Sequence, residues 1–201
     1  MDGRRTVRTY VGLGANVGDA RATLVHAVRA LAALPRVALA GVSPLYVTRP
    51  VGLFDQADFH NAVVALDVPA GPDAETGAIA LLVALKSIEA AFGRQQRERW
   101  GPRELDLDLL VFGPHRVHVE RPVPARSADP ARSGDQWLDV PHAAAAERLF
   151  VLAPLADLAP RLVPPGWPAT VSTLRDHRAT IEGPDAIRRA GEWRGLQEGW
   201  A

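Results

Sequence analysis

The run ELDLDLLVFG at residues 104–113 admits few folded environments. Leu105, Leu107 and Leu109 alternate with Asp106 and Asp108, which predicts a strand with one leucine face and one acid face. An ionised carboxylate is costly to bury unless it is paired or holds a metal. The strand must therefore turn its acids toward a polar site while its leucines enter a core. Arg94, Arg97, Arg99 and Arg103 stand just upstream, beside Trp100. Two explanations compete. The acids lie on a solvated face and pair with these arginines, or they hold a cation whose phosphate ligand the arginines grip. Carboxylates two apart on a strand project the same way, with Cα atoms about 6.5–7 Å apart. Such a pair suits one or two hard cations; magnesium keeps few protein carboxylates and takes water and phosphate as its other ligands. The arginines supply phosphate donors and Trp100 a stacking surface, and together they favour the metal-and-phosphate reading.

The 201 residues, 47% hydrophobic and 23% charged, suffice for one domain with a real core. Lys+Arg 23 balance Asp+Glu 23, so general attraction to nucleic acid or to a membrane surface is not expected. Lys86 is the only lysine, and the absence of cysteine excludes disulfides and thiolate metal sites. The N-terminus lacks an apolar run of signal-peptide length and nothing approaches a membrane span, so a cytoplasmic protein is expected.

Periodicity and punctuation give an order of elements. Thr6–Leu13 reads as a strand, and a helix capped by Asp19 runs to about Leu34, before Pro35. A second strand is expected over Val37–Tyr46 and a third over His60–Val68. A second helix covers roughly Ala78–Phe92, and the Asp strand comes after it. This β-α-β-β-α-β order predicts an α+β, ferredoxin-like antiparallel sheet with helices packed on one face and extra C-terminal elements. Short helices are expected near Arg148–Leu158 and Val171–His177. A single domain over residues 1–182, an inserted loop at about 122–139 and a polar, mobile tail at 183–201 complete the expectation.

Three further groups carry chemistry. The motif GLGANVGD has the spacing G-x-G-x-x-x-G, which fits neither a dinucleotide fingerprint nor a P-loop, and reads first as a tight strand-to-helix turn. Phe59 and Asn61, two apart at a strand start, point into the same space; a flat ring beside an amide suits a planar heterocycle. His142 precedes Arg148 and Phe150. Taken singly, Phe59, Asn61 and His142 each also fit a purely structural role.

From about Tyr10 to Pro160 the chain resembles the 6-hydroxymethyl-7,8-dihydropterin pyrophosphokinase family. The resemblance rests, in order, on YVGLGANVGD, SPLYVTRPVG, DFHNAVVAL, RWGPRELDLDLLVFG, and VPH with ERLFVLAPLADLAP after it. It implies transfer of the β,γ-pyrophosphoryl unit of ATP to the pterin hydroxymethyl group, with release of AMP, in folate biosynthesis. It implies two Mg²⁺ ions on Asp106 and Asp108, with Arg94 and Arg103 completing the catalytic set. Glu89, Arg94, Arg97, Trp100, Arg103, His142 and Arg148 are implied at the ATP. Thr48, Val51, Asn61, Phe59, Phe150 and Trp100 are implied at the pterin, with Phe59 and Phe150 stacking on its two faces. Phe59 stands where the family commonly has tyrosine, and Arg49 where a small residue or proline is frequent. The resemblance implies small-molecule substrates only, no nucleic acid or membrane partner, and a monomer or weak dimer. Two alternatives stay open: another Mg-dependent nucleotidyl or phosphoryl transferase on the same fold, and a non-catalytic RNA-binding module of shared topology. The second lacks its basic face and aromatic platform here.

Overall fold

The computed structural model describes residues 5–50, 56–93, 101–120 and 136–201. The chain runs β1 (Thr6–Ala15), α1 (Ala20–Ala32), β2 (Ala38–Val42), β3 (Leu45–Thr48), β4 (Phe59–Pro69), α2 (Ala74–Ala91) and β5 (Asp106–Phe112). It continues as β6 (Val117–Glu120), β7 (Gln136–Val140), α3 (Leu149–Leu158), α4 (Val171–Glu182) and β8 (Ile187–Gly191). The main sheet has the order β5-β1-β4-β3-β8, with β2 also pairing β4. Every pairing in it is antiparallel. Strands β6 and β7 form a separate ribbon.

Local chemistry sets the element ends. The Asp19 carboxylate accepts the Ala22 amide at 3.0 Å and starts α1; Asp73 accepts from Thr76 N at 2.8 Å and starts α2, four residues earlier than the sequence suggests. Each such cap is worth about 1 kcal/mol. The expected single strand at 37–46 is two. Pro44 has no amide proton, and the chain breaks pairing there; Ser43 fills the gap by donating its amide to Val63 O and accepting the Val63 amide on Oγ, both at 2.9 Å.

The two helices of the β-α-β-β-α-β unit, α1 and α2, share one face as expected, and the added helices α3 and α4 cover the other. On the first face Leu24, Val28 and Leu31 of α1 and Leu81, Leu82 and Leu85 of α2 pack on Val64 and Leu66 of β4 and on Leu107 and Leu109 of β5. On the other, Leu152 and Leu155 of α3 and Val171 of α4 pack on Val63 and Ala65. Period-two alternation along β4 feeds both cores, as a strand buried on two sides must. The C-terminal segment, expected as a mobile tail, pairs with β3 as strand β8 and sends Trp200 into the first core. Of the expected insertion, residues 121–135 lie outside the described residues, and 136–140 form β7. Among the described residues no helix is long and apolar enough to cross a membrane.

Thr9 in β1 is fully buried, and its hydroxyl finds no partner among the described residues. Such a hydroxyl costs about 1–3 kcal/mol. Thr9→Val keeps the shape and removes the polar atom. It should raise the thermal midpoint by about 2–4 °C per kcal/mol recovered. A melt that falls instead would mean the hydroxyl is satisfied.

Candidate active site

The acid face of β5 opens on a cleft of about 290 Å³. Asp106 is registered opposite Gly14 of β1, and Asp108 opposite Gly12. Cross-strand partners share a face, so on β1 no side chain stands in front of either carboxylate. A Cβ at Gly14 would lie 3.5 Å from Asn61 Oδ1, and one at Gly12 3.5 Å from Leu110 Cδ1. The two glycines thus belong to the strand and keep the cleft floor flat. Only Gly18 of that motif has the left-handed φ, +62°, that the turn into α1 requires.

Strand β5 is a sheet edge, and α2 occupies that edge. The Glu89 carboxylate accepts the Leu107 amide at 2.7 Å, while Lys86 Nζ donates to Leu107 O at 3.2 Å and to Glu89 at 2.8 Å. The sole lysine and a glutamate only 2% exposed act as a strand would, gripping the backbone between the two acids. Glu89, expected at the ATP, does not line the cleft; it holds β5 from the side.

Asp106 pairs with the Arg103 guanidinium at 2.7 Å. Asp108 accepts no hydrogen bond from the described residues. Burial and the neighbouring Asp106 carboxylate raise its pKa, against the opposing pull of His142 and Lys86. One acid is therefore paired with arginine, as the solvated-face reading requires, and the other has no counter-charge in direct contact among the described residues. A half-buried carboxylate crowded by a second one suits a cation. Among the described residues no group of three or more His, Asp or Glu side chains could hold a metal. An aspartate pair is the kind of donor set that magnesium accepts, since it prefers water and phosphate for its other ligands.

A β-bulge shapes the far wall. Tyr10 pairs with Val111 and Val11 with Leu109, which leaves Leu110 as the extra residue of β5. Its carbonyl accepts the His142 amide at 2.9 Å. His142 Nδ1 accepts from the Ala144 amide at 3.3 Å, so the proton of the neutral ring resides on Nε2, as a donor. Arg148 precedes the first turn of α3, its guanidinium 5.7 Å from the centroid of the Phe150 ring. No side chain caps this helix start, and Arg148, Phe150 and Val151 line the cleft, which gives that wall positive polarity.

The opposite wall is the start of β4. Asn61 Nδ2 donates to Thr48 Oγ1 at 2.9 Å, and both residues are buried. Thr48 is paired with Phe59 across the strands, and Arg49 stands next to it at the rim. The cleft thus brings together Thr48, Phe59 and Asn61 with Arg103, Asp106 and Asp108, and these with His142, Arg148 and Phe150. Val51, Arg94, Arg97 and Trp100 lie outside the described residues.

Asn16 was not anticipated. Its Oδ1 accepts the Arg103 amide at 2.7 Å, and its Nδ2 donates to Gln56 Oε1 and Ala57 O at 3.0 Å, which ties the arginine side of the cleft to the aromatic side. Its position in GANVGD, next to the strand end, was the only signal.

A cleft with paired acids, basic groups and aromatic rings on an α+β sheet is the class of site that suits phosphoryl transfer. Comparison with known proteins narrows this class. The chain belongs to the 7,8-dihydro-6-hydroxymethylpterin-pyrophosphokinase (HPPK) family, whose match covers residues 10–160. It is 42% identical over 155 residues to the 2-amino-4-hydroxy-6-hydroxymethyldihydropteridine pyrophosphokinase of Pseudomonas aeruginosa, covering 77% of this chain and 82% of that one. It is 39% identical over 182 residues to the enzyme of the same name from Methylorubrum extorquens, covering 90% and 98%. The fold matches crystal structures of Plasmodium falciparum HPPK-DHPS, for instance the wild type with SDX-DHP, with a TM-score of 0.69 at 13% identity. That match covers 96% of this chain but 49% of the other, so the chain spans about half the length of those proteins.

The Glu89 grip on β5 has a measurable worth. Glu89→Ala leaves a buried amide and Lys86 without their acceptor, and should destabilise the fold by about 3 kcal/mol. Glu89→Gln, which keeps an acceptor oxygen, should cost less. Urea unfolding of the three proteins decides: equal midpoints for Ala and Gln would refute the grip.

Proposed function

We propose that this chain transfers the β,γ-pyrophosphoryl group of ATP to the hydroxymethyl oxygen of 6-hydroxymethyl-7,8-dihydropterin, within folate biosynthesis, and that the cleft described above is where it does so. The observation that carries this reading is a single cleft lined both by flat groups, Phe59 and Asn61 on one wall and Phe150 on the other, and by charged ones, Asp106, Asp108, Arg103 and Arg148. The match to the pyrophosphokinase family supports it. In the reaction the hydroxymethyl oxygen forms a bond to the β-phosphorus, the bond from that phosphorus to the α-phosphate oxygen breaks, and AMP leaves. The hydroxyl proton passes to water.

Asp106 and Asp108 would hold Mg²⁺, two ions in this reading, and the metal would supply neutralisation of the phosphate charge. Arg103 moves from Asp106 to a phosphate oxygen when the acid takes up the cation. His142 donates from Nε2 and Arg148 from its guanidinium to the triphosphate. Thr48 holds the Asn61 amide nitrogen and leaves Asn61 Oδ1, beside Gly14, to accept from the pterin edge. The ring lies between Phe59 and Phe150, where stacked aromatics contribute about 0.5–1.5 kcal/mol beyond their buried area. Val51 and Trp100 complete the pterin contacts, and Arg94 and Arg97 the nucleotide contacts. Little covalent work falls to the protein in such a transfer; positioning and charge stabilisation supply the rate. We place the protein in the cytoplasm, as a monomer or weak dimer acting on small molecules alone, in keeping with its zero net charge.

Incubation with Mg²⁺, ATP and the pterin, with chromatography of the products, should yield AMP one-for-one with a pyrophosphorylated pterin. ATP left intact, or cleaved to ADP, would refute the reaction. Asp106→Ala and Asp108→Ala should each lower turnover by about a thousandfold or more. Asp108→Ala should not lower the melting midpoint, since it relieves repulsion between like charges, and Asp106→Ala should lower it little, the lost pair with part-exposed Arg103 offsetting that relief. Turnover near the wild-type rate in either variant would remove the metal assignment.

A further inference from the structure

We infer that the segment 187–201 is a positioning element for the pterin wall: it braces Thr48 and Asn61 from behind and sets the affinity for the pterin, not for ATP. This rests on the pterin reading of that wall.

Strand β3 has only four residues and would be the edge of the sheet without β8. Strand β8 makes it an interior strand, with Ile187 paired to Thr48 itself. Past β8 the chain folds back on itself. Glu192 and Ala201 exchange backbone hydrogen bonds at 2.7 and 2.9 Å, and the Trp193 ring meets Trp200 edge-on at 4.7 Å. Trp200 is 3% exposed, and its indole N–H donates to Ser43 O at 2.8 Å.

Ser43 is where β2 breaks from β3, and it is bonded both ways to Val63. Val63 lines the cleft two residues from Asn61. Two routes therefore lead from the segment to the same pair of side chains: Ile187 to Thr48 across the sheet, and Trp200 through Ser43 and Val63 to β4.

Helix α1 holds the segment in place. Arg29 donates to the carbonyls of Leu196 at 2.8 Å and Gln197 at 3.0 Å, and Arg21 donates to that of Trp200. Gly199 allows the close approach: a Cβ there would lie 2.6 Å from Val25 Cγ2. The direction of the effect comes from the sheet order. Strand β8 stands at the opposite edge from β5, with β3, β4 and β1 between them. Loosening the brace moves the Thr48–Asn61 wall and leaves the aspartates, held separately by Glu89 and Lys86, where they are.

Steady-state kinetics test this on two variants of the full chain. Trp200→Phe keeps an aromatic ring against Trp193 and loses the bond to Ser43; Arg29→Ala releases two carbonyls of the segment from an exposed position. Each should raise KM for the pterin about threefold to tenfold, the range of a lost hydrogen bond. KM for ATP and kcat should stay within about twofold of wild type. Unchanged KM for the pterin in both variants, or equal rises for both substrates, overturns the inference, whatever happens to the melting temperature. Wild-type protein that fails to turn over the pterin overturns the underlying reading instead, and is seen before any variant is made.

Discussion

Two carboxylates side by side on a sheet edge repel each other, lose hydration together, and sit on a strand whose outer hydrogen-bonding groups lack a neighbouring strand. Each difficulty is met by a different part of the chain. Helix α2 takes the free backbone groups of Leu107 with Glu89 and Lys86. Arg103 takes Asp106. Glycines on β1 give both acids open space in front. Asp108 is left half-buried and, among the described residues, without a counter-charge in direct contact. In the proposed reading, a metal–phosphate ligand would remedy that deficit.

The sheet divides its labour between its faces. The α1/α2 side is apolar across β1, β4 and β5 and holds the large leucine core. The α3/α4 side is apolar only in part; beyond Leu110 and Val63 it opens into the cleft. The bulge at Leu110 makes the exchange possible. It turns the carbonyl toward His142 and lets Phe112 rejoin the first core two residues later. Helix α3 is tied down on the same face, since the Tyr46 hydroxyl donates to Asp157 at 2.7 Å, a bond that together with burial keeps the phenol protonated. Tyr46 is cross-strand partner to Asn61, so this tie joins the helix that carries Phe150 to the strand that carries Asn61.

Short-range pattern was readable in the sequence; pairing was not. The Asp strand, the Phe59–Asn61 spacing and the Asp19 cap are local features, and the structure has them at the expected positions. The meaning of Gly12 and Gly14 depends on which residues face them across β1, which no spacing within the motif reveals. Glu89 is implied at the ATP by its family position alone; no local pattern reveals that its carboxylate also holds Lys86 and the Leu107 amide. The placement of helices on both faces reflects a β4 that is apolar on both sides, HNAVVALDV being too short a run to distinguish that from a half-buried strand. Strand β8, IRRAG, carries neither alternation nor β-branched residues beyond Ile187. It exists because β3 offers an edge and Trp200 anchors the chain near its end, a long-range cause that local propensity cannot register.

The parts of the cleft held by internal hydrogen bonds, to backbone or between buried side chains, are the ones a pyrophosphoryl transfer needs fixed. The acids sit on a gripped strand, the His142 tautomer is set by Ala144 N, and Asn61 is oriented by Thr48. Arg103 and Arg148, by contrast, hold their guanidinium groups through side-chain partners, Asp106 and the Phe150 ring, that substrates would compete for. Binding therefore requires exchange at the arginines and none at the aspartate backbone. The enthalpy of those exchanges is near balance, one ion pair for another. In the proposed reading the gain comes at Asp108, which has no counter-charge in contact among the described residues, and where apolar surface is covered, at Phe59 and Phe150. Nucleotide and heterocycle thus draw on separate sources of affinity within one cleft, which is why a support behind one wall can be altered without disturbing the other.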